Sequence, residues 1–358
     1  MKLVFFLLPL LAWACTDFRY PSNAGIYSAR TMDFPYPQFV QIKGVSSGEY
    51  FSPQDSQLVW VTTQPYISFA SYGINNSAEG MNRCGLSCSI LTLLETEYQN
   101  ITNPKIALGI TDLCDFILGQ FCSVQDAKVA ISGLEVFWNS MIGEPKPGLA
   151  RFDVLAPLVH VSLHDEFGNS AVLEFIKGEQ VWHDNPIGIL TNDPPYDFHL
   201  RNVQIYSYCS NVFPNGARTI NNYTYDPAEF AYSAGNFGIP ADDSPVSRFV
   251  RISQYVRFAS HPESASASVI LGFHLLEKVS VVPWFSLLEE KGKTLHGITI
   301  YRVVRDHTNK IIYYSTYNDL VIKLLDVNAN SSGMYWMEKV KPHNYINMTE
   351  LMPQLARL

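Results

Sequence analysis

The Ala14-Cys15 bond joins a leader-like segment to the most reactive side chain near the start of the chain. Residues 3–11 form an uncharged apolar run behind one basic residue, Lys2, and Ala12-Trp13-Ala14 follows. A small-x-small ending of this kind is what a signal peptidase cuts. Cleavage after Ala14 makes Cys15 the first residue of the mature chain, with a thiol and a free α-amine on one residue. An α-amine has a reference pKa of roughly 7.7–8.0, close to where a general base works best. One residue can then be both nucleophile and base, as in N-terminal nucleophile enzymes. The bond also admits a signal peptide that stops before an ordinary cysteine, or a lipoprotein anchor. An anchor usually has Leu three residues before the cysteine; Ala12 stands there, and bulky Trp13 follows.

The residues that follow add to this. Cys15-Thr16-Asp17-Phe18 precedes Ala29-Arg30-Thr31-Met32-Asp33-Phe34. Gly80-Met81-Asn82 continues through Gly85-Leu86, and Gly188-Ile189-Leu190-Thr191-Asn192-Asp193-Pro194 runs on to Tyr196-Asp197-Phe198-His199. Ser247-Arg248-Phe249 and Tyr313-Tyr314-Ser315-Thr316-Tyr317 come later. In this order the segments resemble the choloylglycine hydrolases, the family of bile salt hydrolases and penicillin V acylases. The likeness runs from Cys15 to about Asn330. It departs at Arg83, where the family usually has Glu.

The resemblance implies hydrolysis of the carbon–nitrogen bond of a linear amide by Cys15. It implies that Arg30 holds the thiol as thiolate, since a nearby cation lowers a thiol pKa. By itself Arg30 reads as a surface arginine in a turn. Asp33 is expected to accept a hydrogen bond from the Cys15 amine; a turn aspartate, or a local ion pair with Arg30, is the plainer reading. Asn192 is expected to point its amide at the developing oxyanion, although Thr-Asn-Asp-Pro is also good turn sequence. Arg248 is expected to complete the cluster with its fork of donors, against a salt bridge to Asp242 or Asp243. Thr92 falls where family members usually have Asn or Tyr, so it is expected to shape substrate choice, with Phe34 and Tyr36 lining an apolar pocket. No cofactor and no metal is implied.

The 358 residues carry a net charge of −8 with no basic run. That argues against a nucleic-acid partner. Beyond the leader no apolar run is long enough to span a bilayer, so an exported protein, periplasmic or secreted, is expected after signal removal. The partner is then a small acyl amide. The sequons at Asn75, Asn100, Asn222, Asn330 and Asn347 keep a eukaryotic secretory or lysosomal setting open. With that setting comes a rival substrate class, N-acylethanolamines or ceramides. A rival outside the enzymes is a non-catalytic exported binding protein. The resemblance leaves a dimer or tetramer open.

Besides Cys15, the odd set Cys84, Cys88, Cys114, Cys122 and Cys209 reads as buried thiols rather than a disulfide framework. His160 and His164 share a strand face but have no evident third metal ligand, so a structural role is expected.

The elements that must position these residues are partly visible. No repeat or linker interrupts the chain, so one domain over 15–358 is expected behind the leader, residues 1–14. Residues 82–93 read as strand, and residues 111–121 as helix. A second helix is expected from Ser123, its N-cap. Residues 158–164 and 170–176 form an expected hairpin, as do 298–304 and 310–317. Residues 264–278 read as helix, and 320–325 as strand or helix. The pattern supports α+β. The resemblance implies the layers: two stacked antiparallel sheets between helical layers, αββα.

Overall fold

The computed structural model describes residues 15–34, 40–53, 56–70, 76–138, 158–212, 216–226, 235–290, 293–329 and 332–337. The leader, residues 1–14, and Tyr36 lie outside them. In chain order the principal strands are β1 (Thr16–Tyr20), β2 (Tyr27–Phe34), β3 (Gln41–Val45), β4 (Tyr66–Ala70), β5 (Ser77–Asn82) and β6 (Ser87–Thr92). Next come β7 (Val159–His164), β8 (Ser170–Ile176), β9 (Glu179–Asp184) and β10 (Ile189–Leu190). The last are β11 (Ile298–Asp306), β12 (Ile311–Thr316), β13 (Lys323–Asp326) and β14 (Gly333–Trp336). A six-stranded sheet has the order β10-β1-β2-β11-β12-β13, and an eight-stranded sheet the order β9-β8-β7-β6-β5-β4-β3-β14. Every pairing within these two sheets is antiparallel.

Strand alternation divides the apolar residues between two cores. Phe69 and Met81 of the larger sheet join Tyr301 and Tyr314 of the smaller one. The Phe69 and Tyr301 rings stack with centroids 5.3 Å apart. On the opposite face of the larger sheet, Cys88, Val161, Leu163 and Leu173 pack under α1 (Leu113–Gln120) and α2 (Val124–Ile131). Phe249 and Ile252 of α4 (Pro245–Phe258) and Val269, Phe273 and Leu276 of α5 (Ala265–Glu277) join the core of the smaller sheet. The helix α5 lies close to that sheet because position 272 is glycine: an added Cβ would run into the Tyr20 phenol and Val304. The expected α+β sandwich is the observed one.

Local rules account for the boundaries. Ser123 and Ser264 cap α2 and α5 by accepting from the backbone N–H three residues on. The helix expected over 111–121 opens with a 3-10 turn, Ile110–Asp112, before α1 begins. The strand expected over 82–93 is shorter, because a turn precedes β6. The Asn82 side chain accepts from the N–H groups of Cys84 and Leu86, and Gly85 takes φ +80° there. The ambiguous segment near 320–325 contains a strand, β13.

The cysteine expectation needs correction. Cys84 is disulfide-bonded to Cys122, and Cys88 to Cys114. One bridge ties the β5–β6 turn to the residue after Phe121; the other ties β6 to α1. Cys15 and Cys209 are the free cysteines. The odd count hid the pairs because the partners meet only when α1 packs across the hairpin.

Candidate active site

Cys15 leads directly into β1, where Thr16 pairs with Thr31 and Asp17 with Arg30 of β2. Its thiol is buried, 3.8 Å from both the Met32 sulfur and the Asp33 carbonyl oxygen. The Arg30 guanidinium comes within 3.9 Å of that thiol. Burial pushes the Cys15 thiol up from its ordinary value, Arg30 pulls it down, and Asp33 adds to the rise.

Arg30 projects between the two sheets. It donates to the Ala78 carbonyl at 3.0 Å and the Ile90 carbonyl at 2.6 Å, and its charge faces Glu79 at 3.5 Å. Glu79 also takes Arg305, which reaches Asp17 at 3.0 Å; Asp17 in turn meets His164 at 2.6 Å. Burial alone would raise the Asp17 carboxyl, but Arg305 and His164 hold it well below the usual carboxylate range. Arg30 is thus one end of a fully buried ionic chain spanning the sheets.

Asp33 alternates to the other face of β2, so no ion pair joins it to Arg30. Its carboxylate accepts from the hydroxyls of Thr31, at 2.8 Å, and Thr299. Burial pushes it up to about 6, against the pull of Arg248. Arg248 enters from the buried side of α4. It donates to the Cys15 carbonyl at 2.8 Å, to the Thr16 hydroxyl, and to the Asn192 side-chain oxygen at 2.9 Å. The expected alternative, a salt bridge to Asp242 or Asp243, does not form. Arg248 reaches only the Asp243 main-chain carbonyl, while the Asp242 carboxylate accepts from Ser244 and Ser247 and that of Asp243 faces Arg251. Burial lowers Arg248 to about 10, with Asp33 opposing.

Asn192 follows β10, the strand beside β1. Its side-chain N–H donates to the Thr92 carbonyl at 2.9 Å, which straps the end of β6 to this loop. The neighbouring Asp193 carboxylate repeats the strap by accepting from Leu94 N–H at 2.7 Å. Thr92 therefore joins the cluster through its main chain. Phe34 is buried at the end of β2, on the Arg30 and Met32 side by alternation.

Sequence reasoning missed Glu79, Asp17 and Arg305, and it missed His199. The His199 ring, buried on α3 (Tyr196–Gln204), donates from Nε2 to the Asn192 main-chain carbonyl at 2.8 Å and stacks on Phe249. Its place just after the Asn192 segment was the only signal. His160 and His164 have the expected structural roles. His160 bridges Glu174 and the Thr191 carbonyl, and His164 bridges Asp17 and Ser170.

A buried thiol flanked by a cation, with a carboxylate and an anchored amide nearby, is an arrangement of groups that can attack a carbonyl. Residues 15–337 match the linear amide C–N hydrolases of the choloylglycine hydrolase family. A bile salt hydrolase/transferase of Lactiplantibacillus plantarum is 28% identical over 76% of each chain. A penicillin V acylase of Pectobacterium atrosepticum is 27% identical over 92% of this chain and 81% of its own. The crystal structure of a conjugated bile acid hydrolase variant from Clostridium perfringens superposes with a TM-score of 0.76 at 20% identity, over 93% of this chain and all of that one. A penicillin V acylase from Agrobacterium tumefaciens gives 0.68 at 20% identity, over 88% and 87%. With these folds and the sequence match over most of its length, the chain belongs to the choloylglycine hydrolase family and is a linear amide C–N hydrolase.

Proposed function

We propose that the chain is exported, loses residues 1–14, and hydrolyses small acyl amides with Cys15 as nucleophile and the Cys15 α-amine as base. The observation that carries this is the convergence of Arg30 and Asp33 from β2, Asn192 from the loop after β10 and Arg248 from α4, three separate parts of the sequence, around one cysteine. The family match starting at Cys15 supports it further.

In this reading the amine takes the thiol proton and the thiolate attacks the amide carbonyl. Arg30 favours the thiolate, offsetting part of its burial. The Asn192 amide has two hydrogens; one holds Thr92, and the other serves the developing oxyanion. Collapse breaks the carbon–nitrogen bond, and the ammonium returns the proton to the leaving amine. A water activated by the same amine then releases the acid from the thioester. Asp33 accepts from the amine, and the new positive charge favours its ionised form. Until Ala14 is removed the amine is an amide nitrogen and cannot act as a base.

The mature protein should therefore begin at Cys15, as read by intact mass and N-terminal sequencing. Correctly processed Cys15→Ala should lose all turnover, and Cys15→Ser should keep at most a trace. Amide hydrolysis by processed Cys15→Ala would overturn the assignment.

The acyl group is proposed to be aromatic or fatty. Thr92 lacks the amide or phenol that family members usually carry there, so a polyhydroxylated steroid acid finds one fewer fixed partner. A missing polar partner discriminates more strongly than a methylene, which is worth about 1–3 kcal/mol. Penicillin V and a long-chain acyl amide should exceed glycocholate in kcat/KM, and Thr92→Asn should narrow the gap. A wild-type preference for glycocholate would refute this.

A further inference from the structure

We infer that Asn100 is an N-glycan acceptor and that the first sugar of the glycan lies in an aromatic groove beside it. Asn100-Ile101-Thr102 is a sequon with Thr at its third position. Asn100 is exposed. The main chain on both sides of it is fixed. Gln99 N–H donates to the Val136 carbonyl at 3.3 Å, Val136 N–H returns to the Gln99 side chain at 2.8 Å, and Glu135 accepts from Thr102 N–H at 2.6 Å. The side chain therefore projects from an ordered loop.

Beside it lies an open groove of about 480 Å³, lined in part by Tyr98, Asn100, Ile101, Phe137, Trp138 and Leu158. Trp138 is 47% exposed and Ile101 43%. Trp138 and Ile101 thus leave apolar surface open beside the Asn100 side chain. A pyranose ring has an apolar C–H face that stacks on indole and polar edges that stay in water. N-acetylglucosamine attached at Asn100 starts at the groove, so its contacts with Trp138 and Tyr98 carry little entropic cost. The two disulfides fit the oxidising compartment in which such transfer occurs.

The donor is a polyprenyl-diphosphate oligosaccharide. The Asn100 amide nitrogen bonds to C1 of the first sugar, the C1–oxygen bond to the diphosphate breaks, and the amide proton passes to a base of the transferase. The proposal rests on the export reading but not on the amidase chemistry.

The test is to secrete the full chain from a eukaryotic host and release glycans with an amidase in heavy-oxygen water. Asn100 should convert to labelled Asp, and Asn100→Gln should remove one glycan. Asn222, exposed in the turn between strands Arg218–Ile220 and Tyr223–Tyr225, is the internal control. Trimming to the first sugar should leave Tm unchanged, while complete removal should lower it by about 2 °C. In Trp138→Ala that difference should vanish. Secreted protein with Asn222 occupied and Asn100 bare would overturn the acceptor site while leaving export intact. No sugar on any sequon would overturn it too, and the N-terminal mass then shows whether export also failed. A Tm loss undiminished in Trp138→Ala would overturn the groove.

Discussion

His199 and Arg248 divide the task of holding Asn192. The histidine takes its main-chain carbonyl, and the arginine takes its side-chain oxygen. Main chain and side chain of Asn192 are thereby both held, with one amide N–H on the Thr92 carbonyl. Burial pushes His199 down to about 4, opposed by its bond to Asn192, so the ring is neutral at working pH and keeps one donor. Gln offers an amide N–H near the Nε2 position, and Leu offers none. His199→Leu should lower kcat about tenfold to a hundredfold, the equivalent of roughly 1–3 kcal/mol for a buried carbonyl left without its donor. KM should change little if, as proposed, Asn192 serves the oxyanion, because the loss then falls on transition-state geometry. His199→Gln should recover most of kcat with the same pH profile above pH 5. If Leu and Gln variants of equal Tm lost kcat equally, the ring would matter only for packing.

At the level of elements, the sequence exposes whatever obeys a local rule. The hairpin of β7 and β8 was legible from the turn chemistry of Asp165 to Asn169, α2 from its serine cap, and α5 as a helical stretch over 264–278. The catalytic candidates were legible through motif order, and the structure places Arg30, Asp33, Asn192 and Arg248 together. What stayed hidden depends on packing between elements. Cys88 meets Cys114 because α1 crosses β6, a contact no spacing encodes. Glu79 sits one residue before the Gly80-Met81-Asn82 match, yet only the stacking of the sheets brings Arg30 and Arg305 to it. Arg248 was ambiguous for the same reason. In sequence its nearest acids are Asp242 and Asp243, just before α4, whereas the docked helix aims it at β1.

Across the whole molecule, ionisable groups buried between and around the sheets couple folding to acidity. Burial pushes His307 down to about 3, against its bond to the Gly85 carbonyl, and holds His199 near 4. Unfolded histidines take a proton near pH 6.5. From there down to the folded values the unfolded chain binds more protons, so stability falls as pH falls, by about 1.4 kcal/mol per pH unit for each ring. Asp33 works in the opposite sense. Its carboxyl, raised by burial to about 6, is protonated earlier in the folded state, so acid between about pH 6 and 4 favours folding at that site. Asp193, also raised by burial, acts in the same sense as Asp33, and the larger displacement of the two rings leaves a net loss over this window. Below about pH 4 further losses join. Burial would raise Glu174, but His160 and His183 hold it at about 2, and Asp17 lies lower still. Stability that these carboxylates contribute above their unfolded values is lost as they take up protons. Urea midpoints should therefore decline gently from pH 6.5 to 4 and steeply below. His307 donates from Nδ1 to Gly85 and accepts from the Ser28 hydroxyl at Nε2. Asn can keep the first bond and does not titrate, so His307→Asn should flatten the upper slope while leaving the steep lower one. A variant with an unchanged slope between pH 6.5 and 4 would remove His307 from the coupling, and a rising midpoint over that window would mean that Asp33 and Asp193 outweigh both rings.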